Sequence, residues 1–200
     1  MRLTAACVDL GQSVIALYDL GYKTKPICKI RVPGRKEAWD KKSRRILPCG
    51  GTKTISDLDT FPKLLVENAR ARGTRPAIRE KDLGIWQTWS WSQTEKEIRA
   101  LACGLVAYGF ERGDRLAIIG DNRPQLYWAM VAAQFDGGVP VPVYQDSVAE
   151  EMLYILEHAD ARFAIAENQE QVDKLLEIKD RCPKLEHIIY KDPRGMRDYN

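Results

Sequence analysis

The chain of 200 residues has no apolar run approaching the ~20 residues that cross a bilayer, so no membrane-spanning helix is expected. It is also poor in metal ligands and redox pairs. Two histidines, His158 and His187, accompany five cysteines (Cys7, Cys28, Cys49, Cys103, Cys182), and no two cysteines stand as C-x-x-C. An odd number of scattered cysteines excludes a zinc ribbon or a disulfide framework and points to a reducing cytoplasm. Neither G-x-G-x-x-G nor G-x-S-x-G occurs, which removes the dinucleotide loop and the hydrolase nucleophile elbow. "LTAAC" near the start has the outline of a lipidation signal. The apolar stretch before Cys7 is too short for a signal-peptide core, and Asp9 follows at once, so secretion is not expected.

What is present is unevenly distributed. The net charge of +3 conceals 12 Lys and Arg against 4 Asp and Glu in residues 1–55, with an acidic excess in the remainder. In that basic quarter short apolar runs mix with Pro and Gly and no period persists, so residues 1–55 read as an irregular, disordered extension. Its cluster Lys41, Lys42, Arg44 and Arg45 could touch anionic lipid or nucleic acid, but a solvated tail explains it with less. "CGGTKT", Cys49–Thr54, has the look of a nucleotide loop. Thr52 stands where a P-loop needs Gly, however, and no strand leads into it.

From Asp57 the texture changes. Thr60 is placed to cap a helix with Pro62 in its first turn, an apolar face of Phe61, Leu64, Leu65 and Ala69, and Gly73 at its end. "PAIREKDLGIWQTWSW" predicts a hairpin about Asp82–Gly84, with Trp89 and Trp91 on one face. Packing explains its tryptophans better than base or lipid stacking, because no basic residue interleaves Trp86–Trp91. Ser92 and Glu95 form an S-x-x-E capping box before Ile98, Leu101, Ala102, Leu105 and Val106, and Ser147 with Glu150 supplies a second. Beyond Gly109, strands "RLAII", "VPVPVY", "RFAIA" and "HIIY" alternate with helices "PQLYWAMVAAQF", "VAEEMLYILEHA" and "QEQVDKLLEIKDR". Fully apolar strands separated by helices of this length imply βαβ crossovers and a parallel sheet covered on both faces. The expected class is α/β: an open, mainly parallel sheet with helices on both faces, preceded by a helix and a β-hairpin.

The double glycine Gly137-Gly138 follows a helix and precedes a strand, the wrong side for a phosphate cradle; both glycines are expected to be left-handed C-caps. The true strand-to-helix turn, "GDNRP" from Gly120 to Pro124, offers Asp121, which repels phosphate, Asn122, suited to capping, and Arg123, with some room for an anion. His158 and His187 read as packing or surface residues. Glu150 and Glu151 lie at a helix start, where the dipole stabilises negative charge. No residue is therefore assigned a catalytic, cofactor-binding or metal role.

The segments "FPKLLVENARARGTRPAI", "TWSWSQTEKEIRALACGLVAYGFERGDRLAIIGDNRPQLYWAMVAAQFDGGVPVPVY" and "YILEHADARFAIAEN" resemble the beginning of the AMP-forming acyl-CoA synthetases, the adenylate-forming enzymes. The combination of G-D-R, N-R-P, an apolar helix, the double glycine, V-P-V-Y and Y-I-L-x-H carries the resemblance. "VPVY" together with "YILEHADARFAIAEN" is most similar to the long-chain fatty-acid branch, although Gln125 and Tyr127 stand where the family more often has Glu and Trp. The likeness runs from Phe61 to Tyr190 and includes none of residues 1–55.

The resemblance implies a ligase joining a carboxylate to CoA through an acyl-adenylate, with fatty acid, ATP and CoA as substrates and Mg2+ as cofactor. It further implies that the phosphate loop, the acidic magnesium ligand and the catalytic lysine come after the segment seen here. On that reading residues 56–200 are a partial N-terminal synthetase domain, an incomplete fragment expected to be inactive by itself. Its unpaired sheet edge could support a homodimer. No specific nucleic-acid partner is expected, and membrane contact is at most peripheral, at the inner membrane of an otherwise cytoplasmic protein. The alternative is a non-catalytic α/β binding or interaction module on the same scaffold.

Overall fold

The computed structural model describes residues 58–196 and, as backbone, the strands Thr4–Asp9 and Val14–Asp19. The basic cluster Lys41–Arg45 and the run Cys49–Thr54 lie outside the described residues. In chain order the elements are β1 (Thr4–Asp9), β2 (Val14–Asp19), α1 (Phe61–Arg72), β3 (Pro76–Asp82), β4 (Ile85–Ser90) and α2 (Trp91–Ala107). There follow β5 (Arg115–Ile119), α3 (Pro124–Phe135), β6 (Val139–Val143), α4 (Ala149–Ala159), β7 (Phe163–Ala166), α5 (Gln169–Ile178) and β8 (His187–Tyr190).

The main sheet has the order β1-β2-β8-β7-β5-β6, and β3 with β4 forms a separate antiparallel pair. Strands β5 to β8 run parallel, in agreement with the α/β expectation. The βαβ units form because each strand is apolar throughout and each following helix has an apolar stripe to lay on it. Along β5, Leu116 and Ile118 pack with α1, α2 and α3 while Ala117 and Ile119 pack with α4 and α5, so the sheet is covered on both faces. Each fully buried Leu or Ile contributes about 1.5–3 kcal/mol through area removed from water. Trp89 closes the hairpin onto the first layer, edge-on to Trp128 with ring centroids 5.5 Å apart.

The N-terminal quarter is corrected at two places. Thr4–Asp9 and Val14–Asp19 are not irregular: they pair antiparallel with each other, and β2 pairs antiparallel with the outer edge of β8. The runs "TAACVD" and "VIALYD" are each one strand long, too short to sustain a helical or strand period over two turns. The β8 edge is therefore paired.

The opposite edge, β6, carries its own protection. The Val139 N–H donates toward β5, to the Asp114 carbonyl at 2.8 Å. Strand alternation then turns Pro140 and Pro142 to the open side, where a residue without an N–H cannot template a further strand.

Several local expectations shift. Thr60 caps α1, but Phe61 (66% exposed) and Leu64 (38%) lie off the core, which α1 meets through Leu65 and Ala69. Helix α2 begins two residues earlier than expected, with Ser90 and Gln93 as the capping box: Ser90 N–H donates to Gln93 Oε1 at 2.9 Å and Gln93 N–H to Ser90 Oγ at 3.2 Å. Trp91 therefore belongs to the helix, and Glu95 pairs with Arg99 instead, at 2.8 Å. Helix α4 starts at Ala149, with Glu151 accepting the Val148 N–H at 3.3 Å; Glu150 is drawn away to Arg181, and Ser147 is buried.

Candidate functional site

In an open parallel sheet the natural ligand position is the crevice beyond the carboxyl ends of the strands, where the connections diverge to opposite faces. Here that point lies between β5 and β7. The chain leaves β5 for α3 on one face and leaves β7 for α5 on the other, and a small cavity opens between the two exits. It is lined by Asp121, Arg123, Gln125, Glu167 and Lys191 over a floor of Ile118, Ile119, Ile165 and Ala166.

The crevice is filled by the chain's own charges. Glu167, the first residue past β7, accepts the Asp121 N–H through one carboxylate oxygen and lies 2.6 Å from Arg123 Nε through the other. Arg123 also donates to Glu80 of β3 at 2.5 Å, joining the hairpin to the rim of the sheet. The Glu80 hydrogen bond is the main reason the Arg123 guanidinium is held above its ordinary value. A carboxylate thus takes the place on the first exposed backbone N–H where an external anion would sit. Gly120 makes this approach possible: a Cβ there would lie 2.7 Å from the Glu167 Cβ.

The "GDNRP" turn is thereby corrected in detail. Arg123, expected to leave room for an anion, is engaged by two carboxylates of the chain itself. Asn122 is not the cap of α3: Arg123 occupies that position with no side-chain cap, and Asn122 instead accepts the Tyr127 hydroxyl. The double glycine lies away from the crevice, at the far end of α3. Gly137 has φ +76°; its N–H donates to the Gln134 carbonyl at 3.1 Å and that of Gly138 to the Ala133 carbonyl at 2.8 Å, a Schellman ending. Only Gly137 is left-handed. Gly138 is needed for space, since a Cβ would run into the Phe110 ring.

The remaining candidates are placed apart. His187 stacks on Phe163 at 4.7 Å and His158 on Tyr154 at 5.8 Å, both as packing groups. Cys182 is buried and Cys103 exposed, neither in a disulfide. Among the described residues no group of three or more His, Cys, Asp or Glu side chains is disposed to hold a metal. Nor is any helix there long and apolar enough to cross a membrane. The Glu80, Arg123 and Glu167 cluster escaped the sequence reading because its members lie on three separate elements and no local spacing joins them.

The comparisons with known proteins agree with this architecture. Two long-chain-fatty-acid–CoA ligases are similar to the chain. Xenopus laevis ACSBG2 is 33% identical over 134 residues, covering 66% of this chain and 18% of the relative. Bos taurus ACSBG1 is 31% identical over 126 residues, covering 62% and 17%. The chain thus spans less than a fifth of the length of these relatives. Among solved structures, the anthranilate CoA ligase AuaEII in complex with anthranoyl-AMP superposes with a TM-score of 0.59 at 21% identity, over 64% of this chain and 24% of that one. The N-terminal domain of FACL13 from Mycobacterium tuberculosis gives 0.54 at 22%, over 59% and 29%. At such identities these two likenesses concern the fold alone. Residues 65–199 match the AMP-binding enzyme family, to which this chain belongs.

Proposed function

We propose that residues 58–196 are the first α/β scaffold of an ATP-dependent, AMP-forming acyl-CoA ligase acting on long-chain carboxylates. The observation that carries this reading is the 33% identity over 134 residues to a long-chain-fatty-acid–CoA ligase. In the proposed reaction a carboxylate oxygen attacks the α-phosphorus of ATP and pyrophosphate leaves. The CoA thiol then attacks the acyl carbon and AMP leaves with the bonding pair. Magnesium, which this chemistry implies, finds no group of three or more His, Cys, Asp or Glu ligands among the described residues, and Glu167 of the crevice and Glu80 of the hairpin are already paired with Arg123. The role of this segment is to position, and the reacting groups belong to other parts of the longer enzyme.

The test has two arms. The purified 200-residue chain is expected to show no carboxylate-dependent exchange of pyrophosphate into ATP. A chimera in which residues 61–199 replace the matching segment of the Xenopus ligase is expected to exchange with a long-chain carboxylate. Turnover by the short chain alone overturns the division of labour, and a folded but inactive chimera overturns the scaffold reading.

One observation favours a second reading, a non-catalytic interaction module: the cavity at the switch point is small, and Arg123 and Glu167 in its lining are paired with each other. A module of that kind unfolds as one cooperative unit by itself and leaves the chimera inactive.

A further inference from the structure

The β3–β4 hairpin has an outer face that its sequence conceals. Strand pairing sets Lys81 opposite Trp86 and Arg79 opposite Thr88, so one face presents Arg79, Lys81, Trp86 and Thr88 together. All four are exposed, Trp86 at 62%, and neither cation forms an ion pair among the described residues. The basic residues absent along Trp86–Trp91 are thus supplied across the strand pair. The other two tryptophans do not belong to this face, since Trp89 and Trp91 pack against the core.

The tip adds a second, independent observation. The turn is Leu83-Gly84, with φ +46° at Leu83 and +83° at Gly84, where the first position ordinarily takes Asn, Asp or Gly. Leucine is a poor choice there by conformation, and its side chain is 95% exposed, so it adds no core packing. Ile85, 65% exposed, follows the turn on the other face of the hairpin, across from Asp82. An apolar residue at positive φ and aimed at solvent suits neither the turn nor the core among the described residues.

We propose that this hairpin docks the protein onto a bilayer bearing anionic headgroups. Leu83 at the tip enters the acyl boundary, Trp86 lies at the headgroup level that indole favours, and Arg79 and Lys81 contact lipid phosphate. A nucleic acid accounts for the cations and Trp86 but leaves the apolar tip in water, so the bilayer fits more of the face. Docking does not depend on the ligase chemistry, and it requires that the hairpin face stay exposed in the whole protein.

Co-sedimentation of the full chain with phosphatidylcholine vesicles, with and without phosphatidylglycerol, tests it. Binding is expected only to the anionic vesicles, weakening with salt. Arg79→Gln with Lys81→Gln is expected to reduce partitioning on the order of five-fold per residue. Leu83→Asn separates docking from folding: it suits the turn and is expected to raise Tm while lowering partitioning several-fold. Equal binding to neutral and anionic vesicles, or unchanged partitioning of the three-residue variant Arg79→Gln, Lys81→Gln, Leu83→Asn, overturns the proposal. So does tighter binding to a single-stranded oligonucleotide that Leu83→Asn leaves untouched. Failure of pyrophosphate exchange in the chimera would leave the vesicle result unaffected.

Discussion

Gly120 and Glu167 meet so closely that a methyl group on the glycine would lie 2.7 Å from the Glu167 Cβ and 2.9 Å from its Oε2. The contact joins the exits of β5 and β7, the two strands whose connections part to opposite faces of the sheet. Gly120→Ala is expected to destabilise by about 1–3 kcal/mol, the usual cost of overpacking a closed site. Because the Cβ itself is in the way, Glu167→Ala is expected to restore only part of that loss. Urea unfolding of the two single variants and the double variant measures it, and complete rescue would locate the strain in the carboxylate instead.

The two glycines at the end of α3 should respond differently. Gly137→Ala places a side chain at φ +76° beside the flexible stem of Arg112, 3.1 Å away, and is expected to cost about 1–2 kcal/mol. Gly138→Ala drives a methyl into the Phe110 ring and lies 2.8 Å from the Asp114 carbonyl, so it is expected to cost more. Phe110→Leu should recover part of the Gly138→Ala loss and none of the Gly137→Ala loss. Thermal melts of the four variants decide between a conformational and a steric role for each glycine.

These glycines also show how far the sequence could be read. From Arg115 to Tyr190 every strand and helix was legible, because apolar runs such as "RLAII" and striped helices such as α5 leave one consistent packing. Cap register was less so: Ser90-x-x-Gln93 and Ser92-x-x-Glu95 both fit the box, and only the end of β4 at Ser90 selects between them. The contents of the crevice were illegible. Glu80 and Arg123 are 43 residues apart, and Asp121 and Glu167 are 46 apart; nothing local marks them as neighbours until the sheet order is known.

Arg162, just before β7, donates to Asp114 at 2.7 Å and to Glu186 at 2.8 and 3.2 Å, tying the amino ends of β5, β7 and β8 together. Its hydrogen bond is the chief reason the Glu186 carboxyl is held below its ordinary range. Arg162→Ala leaves two carboxylates facing each other and is expected to cost about 1–3 kcal/mol. The Glu186 contribution is present above the ordinary carboxyl pKa and disappears as pH falls through the lowered folded value. The stability difference between the parent and Glu186→Gln, followed from pH 7 down to 3, should therefore shrink toward zero.

Asp136 has the opposite sign. It ends α3, where the helix dipole disfavours negative charge, and one carboxylate oxygen is buried without a hydrogen-bond partner. Burial raises its pKa from 3.8 to about 6. The folded state then holds the proton more tightly than the unfolded chain, so the stability gained from protonated Asp136 is lost as pH rises from about 4 to 6. Asp136→Asn keeps the shape and removes the charge. It is expected to match the parent below pH 4 and to exceed it by about 1 kcal/mol above pH 6, after allowing for partial exposure to solvent. Urea unfolding across that range checks the sign, because a parent that gains on the Asn variant as pH rises would place a counter-charge beside Asp136.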